Sequence, residues 1–186
     1  MSRIAKNGMD LFQIEIVEET GKKVVALVRS DDWQPLLIRY LDKDGRQAAQ
    51  IEYKNNLATF DIPAQKLHKT VKLNGYYYDN STLYHILRAF PFGEKKKVYF
   101  NLVMDGRDGS PAGPIGMYVR EIGKEKLKVP AGVFDAYKLE MGVAGAIGFF
   151  AQKYRYYFWY TTGEPHYLLR YQDREGSAVT ELVAKD

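Results

Sequence analysis

Leu127-Lys128-Val129-Pro130-Ala131-Gly132-Val133-Phe134-Asp135-Ala136-Tyr137-Lys138-Leu139-Glu140 opens the stretch of this chain that decides its fold. It leads to Lys153-Tyr154-Arg155-Tyr156-Tyr157-Phe158-Trp159-Tyr160, then to His166-Tyr167-Leu168-Leu169-Arg170-Tyr171 and Ala178-Val179-Thr180-Glu181-Leu182-Val183. These turn-separated runs are of strand length and rich in aromatic and β-branched residues, with no helical period between them. They read as consecutive antiparallel strands.

The same alternation continues outward from that stretch. In Leu11 to Val17, Phe12, Ile14 and Ile16 share one face, opposite Gln13 and Glu15. Glu19-Thr20-Gly21 turns the chain into Val24 to Arg29, and Leu36 to Leu41 ends at the hairpin signal Asp42-Lys43-Asp44-Gly45. Ala48 to Tyr53 and Leu57 to Ile62 flank Lys54-Asn55-Asn56, completing an N-terminal meander over 9–62. Val98, Phe100, Leu102 and Met104 share a strand face, and Ile115 to Ile122 follows a glycine-rich loop. One segment departs from the pattern. Leu83, Ile86, Leu87 and Phe90 fall at helical spacing, which predicts a helix over 80–91 with Asn80 or Ser81 as its cap and Pro91 as its stop. The expected fold is mainly β: a single domain over 1–186, built on one large curved antiparallel sheet of about ten strands. Such a sheet forms a half-barrel or open barrel, here with one short helix packed on it and the strands of 97–183 forming its C-terminal part.

Composition narrows the function classes. A hydrophobic fraction of 46% over 186 residues supports a packed core and excludes a disordered chain. Fifteen tyrosines suit strands with one buried and one wet face, because the ring packs while the hydroxyl reaches water. The net charge of +4 comes from interleaved basic and acidic residues, which argues against a nucleic-acid partner. The densest basic run, Lys95-Lys96-Lys97, reads as a solvated loop rather than a phosphate-binding patch. With no cysteine, disulfides, thiolate metal sites and cysteine nucleophiles are excluded. No apolar run is long enough for a transmembrane segment, and Met1 to Leu11 carries no apolar core of a signal peptide.

Motifs that would carry chemistry are missing. Asp105, Asp108 and Ser110 depart from the calcium-loop spacing at Arg107. His68, His85 and His166 are scattered, so no metal site or cofactor is expected, and no nucleophile elbow or phosphate loop occurs. Asp135 is expected to interrupt an inward face carrying Val133, Tyr137 and Leu139, in a structural hydrogen bond. A hydrolase would need His166 to meet it. Asn80-Ser81-Thr82 matches a glycosylation sequon but coincides with the helix start, where capping explains it. The uncharged run over 142–151 is the strongest lead: it sits where a polar loop belongs, and it either packs against its own domain or offers a peripheral membrane contact or a partner contact.

The Val129-Pro130-Ala131-Gly132 turn, the Phe134-Asp135-Ala136-Tyr137-Lys138 strand, the Trp159-containing strand and the Tyr167-to-Tyr171 strand ending in Asp173-Arg174-Glu175-Gly176 resemble a known family. This is the domain of unknown function 3108 family of uncharacterised bacterial envelope proteins. The resemblance is carried by residues 95–183 and, in general strand character, by 9–62. It implies a periplasmic or cell-envelope location, no enzymatic activity, and a half-barrel sheet similar to that of lipoprotein carriers, with the helix as a lid. The expected function is thus a non-enzymatic exported protein that binds a lipid or other hydrophobic small molecule in the hollow of its sheet. Phe134, Tyr156, Phe158 and Trp159 would line the hollow, with Phe149 and Phe150 at its mouth. The alternative is a cell-envelope scaffold or interaction module without a ligand cavity, which meets an envelope protein partner.

Overall fold

The computed structural model describes residues 1–6, 8–94, 96–107, 111–145 and 154–184. Seven strands come first: β1 (Ser2–Lys6), β2 (Met9–Val17), β3 (Lys23–Arg29), β4 (Pro35–Leu41), β5 (Gln47–Lys54), β6 (Leu57–Ile62) and β7 (Leu67–Lys72). A short strand β8 (Tyr77–Asp79) leads into α1 (Leu83–Ile86), which is flanked by 3-10 turns at Asn80–Thr82 and Leu87–Ala89. Then follow β9 (Lys97–Met104), β10 (Gly113–Val129), β11 (Gly132–Val143), β12 (Tyr156–Thr161), β13 (Leu168–Asp173) and β14 (Val179–Glu181). No helix among the described residues is long and apolar enough to cross a membrane.

The fold is mainly β with one short α-helix, as the sequence implies, but the strands form two sheets of seven rather than one of about ten. One sheet runs β1 to β7 in chain order, and the other runs β14 back to β8. The break follows β7. There the chain enters β8, which pairs with β9 in parallel, and the helical segment makes the crossover that a parallel pair requires. Every other pairing whose register is resolved is antiparallel. The sequence reading passed over β1, β7 and β8 because β1 and β7 are exposed edge strands with little apolar contrast, and β8 is only three residues long.

By their contacts the residues divide into two compact units. One comprises Met1–Leu83 with Asn101–Ile115, the other Tyr84–Phe100 with Gly116–Asp186. In the first unit, alternation delivers one face of the meander to a core: Ile14, Val24, Ala26, Val28, Ile38, Tyr40, Ile51, Tyr53, Ala58 and Phe60 are all buried there. The β5–β6 turn places Asn55 and Asn56 at φ of 52° and 57°. Asparagine tolerates that left-handed pair, whose twist matches a two-residue hairpin and sets the Lys54–Leu57 register.

The helical segment buries its whole apolar stripe, with Leu83, Ile86, Leu87 and Phe90 each at most 8% exposed. Its cap is Asp79 rather than Asn80 or Ser81. The Asp79 carboxylate accepts from the Ser81 backbone N–H at 2.9 Å, while Asn80 and Ser81 already belong to the first turn. At the other end Phe90 is extended, as a residue before proline tends to be.

Candidate functional site

In the second unit, β12 is central, and its alternation separates the residues the sequence assigns to one lining. Phe158 and Tyr160 point to one face and are fully buried. Tyr84 of the helical segment covers them there: its ring lies 6.1 Å from that of Phe158, and its carbonyl accepts from the Tyr160 hydroxyl at 2.9 Å. Tyr156 shares this face, half-buried and stacked on Tyr171 at 6.0 Å.

Trp159 points to the opposite face and is 4% exposed. It packs there with Leu127, Val129, Ala136 and Leu169, and Phe134 lies against the same cluster. Its indole N–H donates to Glu125 at 2.5 Å, and the Lys138 and Arg170 cations lie over its ring at 4.7 and 5.6 Å. The four described candidates therefore form two pairs, Tyr156 with Phe158 and Trp159 with Phe134, on opposite faces of the strand. Phe149 and Phe150 lie outside the described residues, as do Asp108 and Ser110.

Beyond its first residues β11 is well buried, but its start projects from the packed region. Val133 is 64% exposed and Asp135 is exposed too, so the inward face expected around Asp135 runs out into solvent at this end. Here Val133, Phe134 and Asp135 meet Thr161, Thr162, Gly163, Glu164 and Tyr167 around an open depression of about 300 Å³. The β12–β13 loop on its rim is tightly tied: Thr161 Oγ1 donates to Gly163 O, and the Tyr167 N–H donates back to Thr161 Oγ1, both at 2.9 Å. The His166 Nδ1 is 2.8 Å from Thr161 O, its Nε2 is 3.4 Å from Glu164, and its ring lies on Phe92 at 4.5 Å. Both ring nitrogens of His166 are therefore engaged within its own loop, and neither is directed at Asp135. Among the described residues no three His, Asp or Glu side chains gather as metal ligands would.

A buried polar cluster in the first unit escaped the sequence reading. Asp79 is 0% exposed and takes the Tyr53 hydroxyl at 2.5 Å on one oxygen, with the Ser81 N–H and hydroxyl on the other. Burial raises the Asp79 pKa above its ordinary value, while the bonds from Ser81 and Tyr53 oppose that rise and the Asp105 charge adds to it. Tyr40 lies close by. Its hydroxyl is buried, and Arg107 stacks on its ring at 3.5 Å. Burial, then the charges of Asp79 and Asp105, push its pKa well up. Asp105 in turn grips Arg107 through its N–H at 2.8 Å and its Nε at 3.0 Å. The sequence held one clue to this cluster: an aspartate two residues before Ser81, the position of a helix N-cap.

Two seven-stranded sheets of mainly antiparallel strands, with one short helix, place the chain in the mainly β class of barrel-like folds, and the comparisons with known proteins agree. A crystal structure of a β-barrel-like protein of domain of unknown function DUF1849 from Brucella abortus is similar, with a TM-score of 0.55 at 10% identity. The match covers 89% of this chain and 73% of that one. The model of the family described as protein of unknown function DUF3108 matches residues 5–183, and the chain belongs to that family. No curated protein matches the chain.

Proposed function

We propose that this protein is a non-enzymatic, exported component of the cell envelope that acts as an interaction module, its β core filled by its own side chains. The observation that carries this reading is the occupancy of both faces of β12. Phe158 and Tyr160 are fully buried beside Tyr84, and Trp159 is buried among Leu127, Val129, Ala136 and Leu169. A lipid hollow would leave such rings half-covered until a ligand arrived. The helical segment that would serve as a lid packs its own apolar stripe away. Partners would then meet the module at its surface. The edge strand β1, exposed along most of its length, is a ready template for strand addition.

One observation favours hydrophobic-ligand binding as a second reading. The depression beside Val133 and Phe134 reaches about 300 Å³, the lower end of the small-ligand range. Native mass spectrometry of gently purified protein separates the two readings. The interaction module is expected at its bare mass, unchanged after incubation with a lipid extract. A lipid-mass adduct released on denaturation would overturn that reading in favour of a carrier.

A further inference from the structure

Glu140 on β11 is a buried carboxylate, its side chain 5% exposed. Tyr118 donates its hydroxyl to Glu140 Oε1 at 2.8 Å, and Arg120 donates its Nε to the same oxygen at 3.1 Å. A second Arg120 nitrogen lies 3.0 Å away, and Arg155 approaches Oε2 at 3.7 Å. Beyond the tyrosine, the Lys97 ammonium sits over the Tyr118 ring at 4.0 Å and over the Tyr99 ring at 5.2 Å. Tyr99 is 59% exposed. Antiparallel register brings Tyr118 and Arg120 to Glu140, with Arg120 opposite Glu140 and Tyr118 opposite Gly142.

The charges in this cluster do not balance. Two guanidiniums lie on one carboxylate and a third cation, Lys97, lies over the ring of the tyrosine bonded to it, and among the described residues Glu140 is the only acid ion-paired with any of the three. A buried carboxylate with two guanidiniums on it is a fixed strut rather than a solvated pair. It holds both arginines in place while their outer faces stay open, at 47% and 33% exposure. The excess of two positive charges, presented by planar N–H forks and an ammonium, matches a dianionic oxyanion with several acceptor oxygens. Phosphate monoesters carry about −1.5 to −2 at neutral pH, and arginine forks suit their geometry.

We propose that Lys97, Arg120 and Arg155, positioned by Glu140 and Tyr118, bind the phosphoryl group of an anionic ligand. The group belongs either to a lipid headgroup or to a soluble phosphoester, and the site does not depend on the interaction-module reading. The test titrates the full chain with inorganic phosphate at constant ionic strength while the arginine Nε–H resonances are followed by NMR. Arg120 and Arg155 are expected to shift saturably, and Lys97→Gln is expected to weaken that binding by about tenfold, the scale of one charge-assisted contact. Lys97→Gln leaves both ion pairs of Glu140 in place, so a loss there does not come from unfolding. Arg120→Gln, whose fold is checked by its melting curve, is expected to abolish saturation.

Cosedimentation with phosphatidylcholine vesicles, with and without phosphatidic acid, assigns the source. Capture by phosphatidic acid that free phosphate reverses points to a lipid headgroup. Phosphate binding without vesicle capture points to a soluble phosphoester. Shifts no larger than those from chloride together with no vesicle capture would overturn the site, as would equal binding by Lys97→Gln.

Discussion

Tyr118 reaches Glu140 by crossing Gly142, its direct partner in the β10–β11 register. A Cβ at position 142 would stand 2.9 Å from the Tyr118 hydroxyl, closer than real Cβ contacts come, and 3.0 Å from its ring. The absence of a side chain at one residue thus lets a tyrosine satisfy a buried carboxylate on the same strand pair. Gly142→Ala is expected to cost about 1–3 kcal/mol, the range of overpacking, as measured by urea denaturation. Gly123→Ala serves as the control, because a Cβ there meets nothing within 4 Å. Equal effects at the two sites would show that Tyr118 moves aside freely.

Asp79 gives stability an unusual pH slope. Its folded pKa is raised, chiefly by burial. The folded state therefore holds this proton more tightly than the unfolded chain does, and the contribution is fully present below the unfolded value near 3.8. It is lost as pH rises through the folded pKa. Asp31 has the opposite sign: the Arg29 hydrogen bond holds its pKa at about 2, so its contribution is lost as pH falls. Asp79→Asn is expected to remove the decline in stability above pH ~4, read as a flatter curve of denaturation midpoint against pH. An unchanged slope would mean that another group carries it.

Phe158 tests whether the β12 face is core or lining. Phe158→Ala is expected to cost roughly 3–5 kcal/mol, as for any fully buried ring. Tyr156→Ala, at a half-buried position, should cost clearly less. A Phe158→Ala protein that keeps its stability but loses a bound lipid would reverse the assignment.

The β5–β6 turn depends on left-handed backbone at Asn55 and Asn56. Asn56→Gly should leave stability unchanged or slightly raised, and Asn56→Val should lower it by about 1–2 kcal/mol. Thermal melts of the two variants check this, and similar melts would exclude the left-handed geometry at position 56.

Much of the strand layout was legible in the sequence because alternation is a local signal. Phe12-Gln13-Ile14-Glu15-Ile16 marks an inner and an outer face with no knowledge of its neighbours. The stripe of Leu83, Ile86, Leu87 and Phe90 likewise commits its segment to a helix whatever it packs against. The site was far less legible. Phe158 and Trp159 look equally suited to lining a hollow, and only their opposite orientations, with Tyr84 on one side and Leu127 and Val129 on the other, separate them. Asp135 was placed on the correct face, yet that face leaves the packed region before reaching it.

The sequence by itself determined the class, the family resemblance, the hairpin order of the meander and the helix, all of which follow from residues a few positions apart. Tertiary structure alone decided that the strands divide into two sheets of seven, because a parallel partner for Tyr77–Asp79 lies across a crossover that no local pattern announces. It also decided that Asp79 is buried under Tyr53, and that Arg120 and Arg155 meet at Glu140 with Lys97 over the ring of its partner Tyr118. In the chain Lys97 belongs to an ordinary solvated run, and the ring it lies over at 4.0 Å belongs to Tyr118, 21 positions away. Charge interactions depend on distance in space, and antiparallel register is what brings Arg120 within 3.1 Å of Glu140.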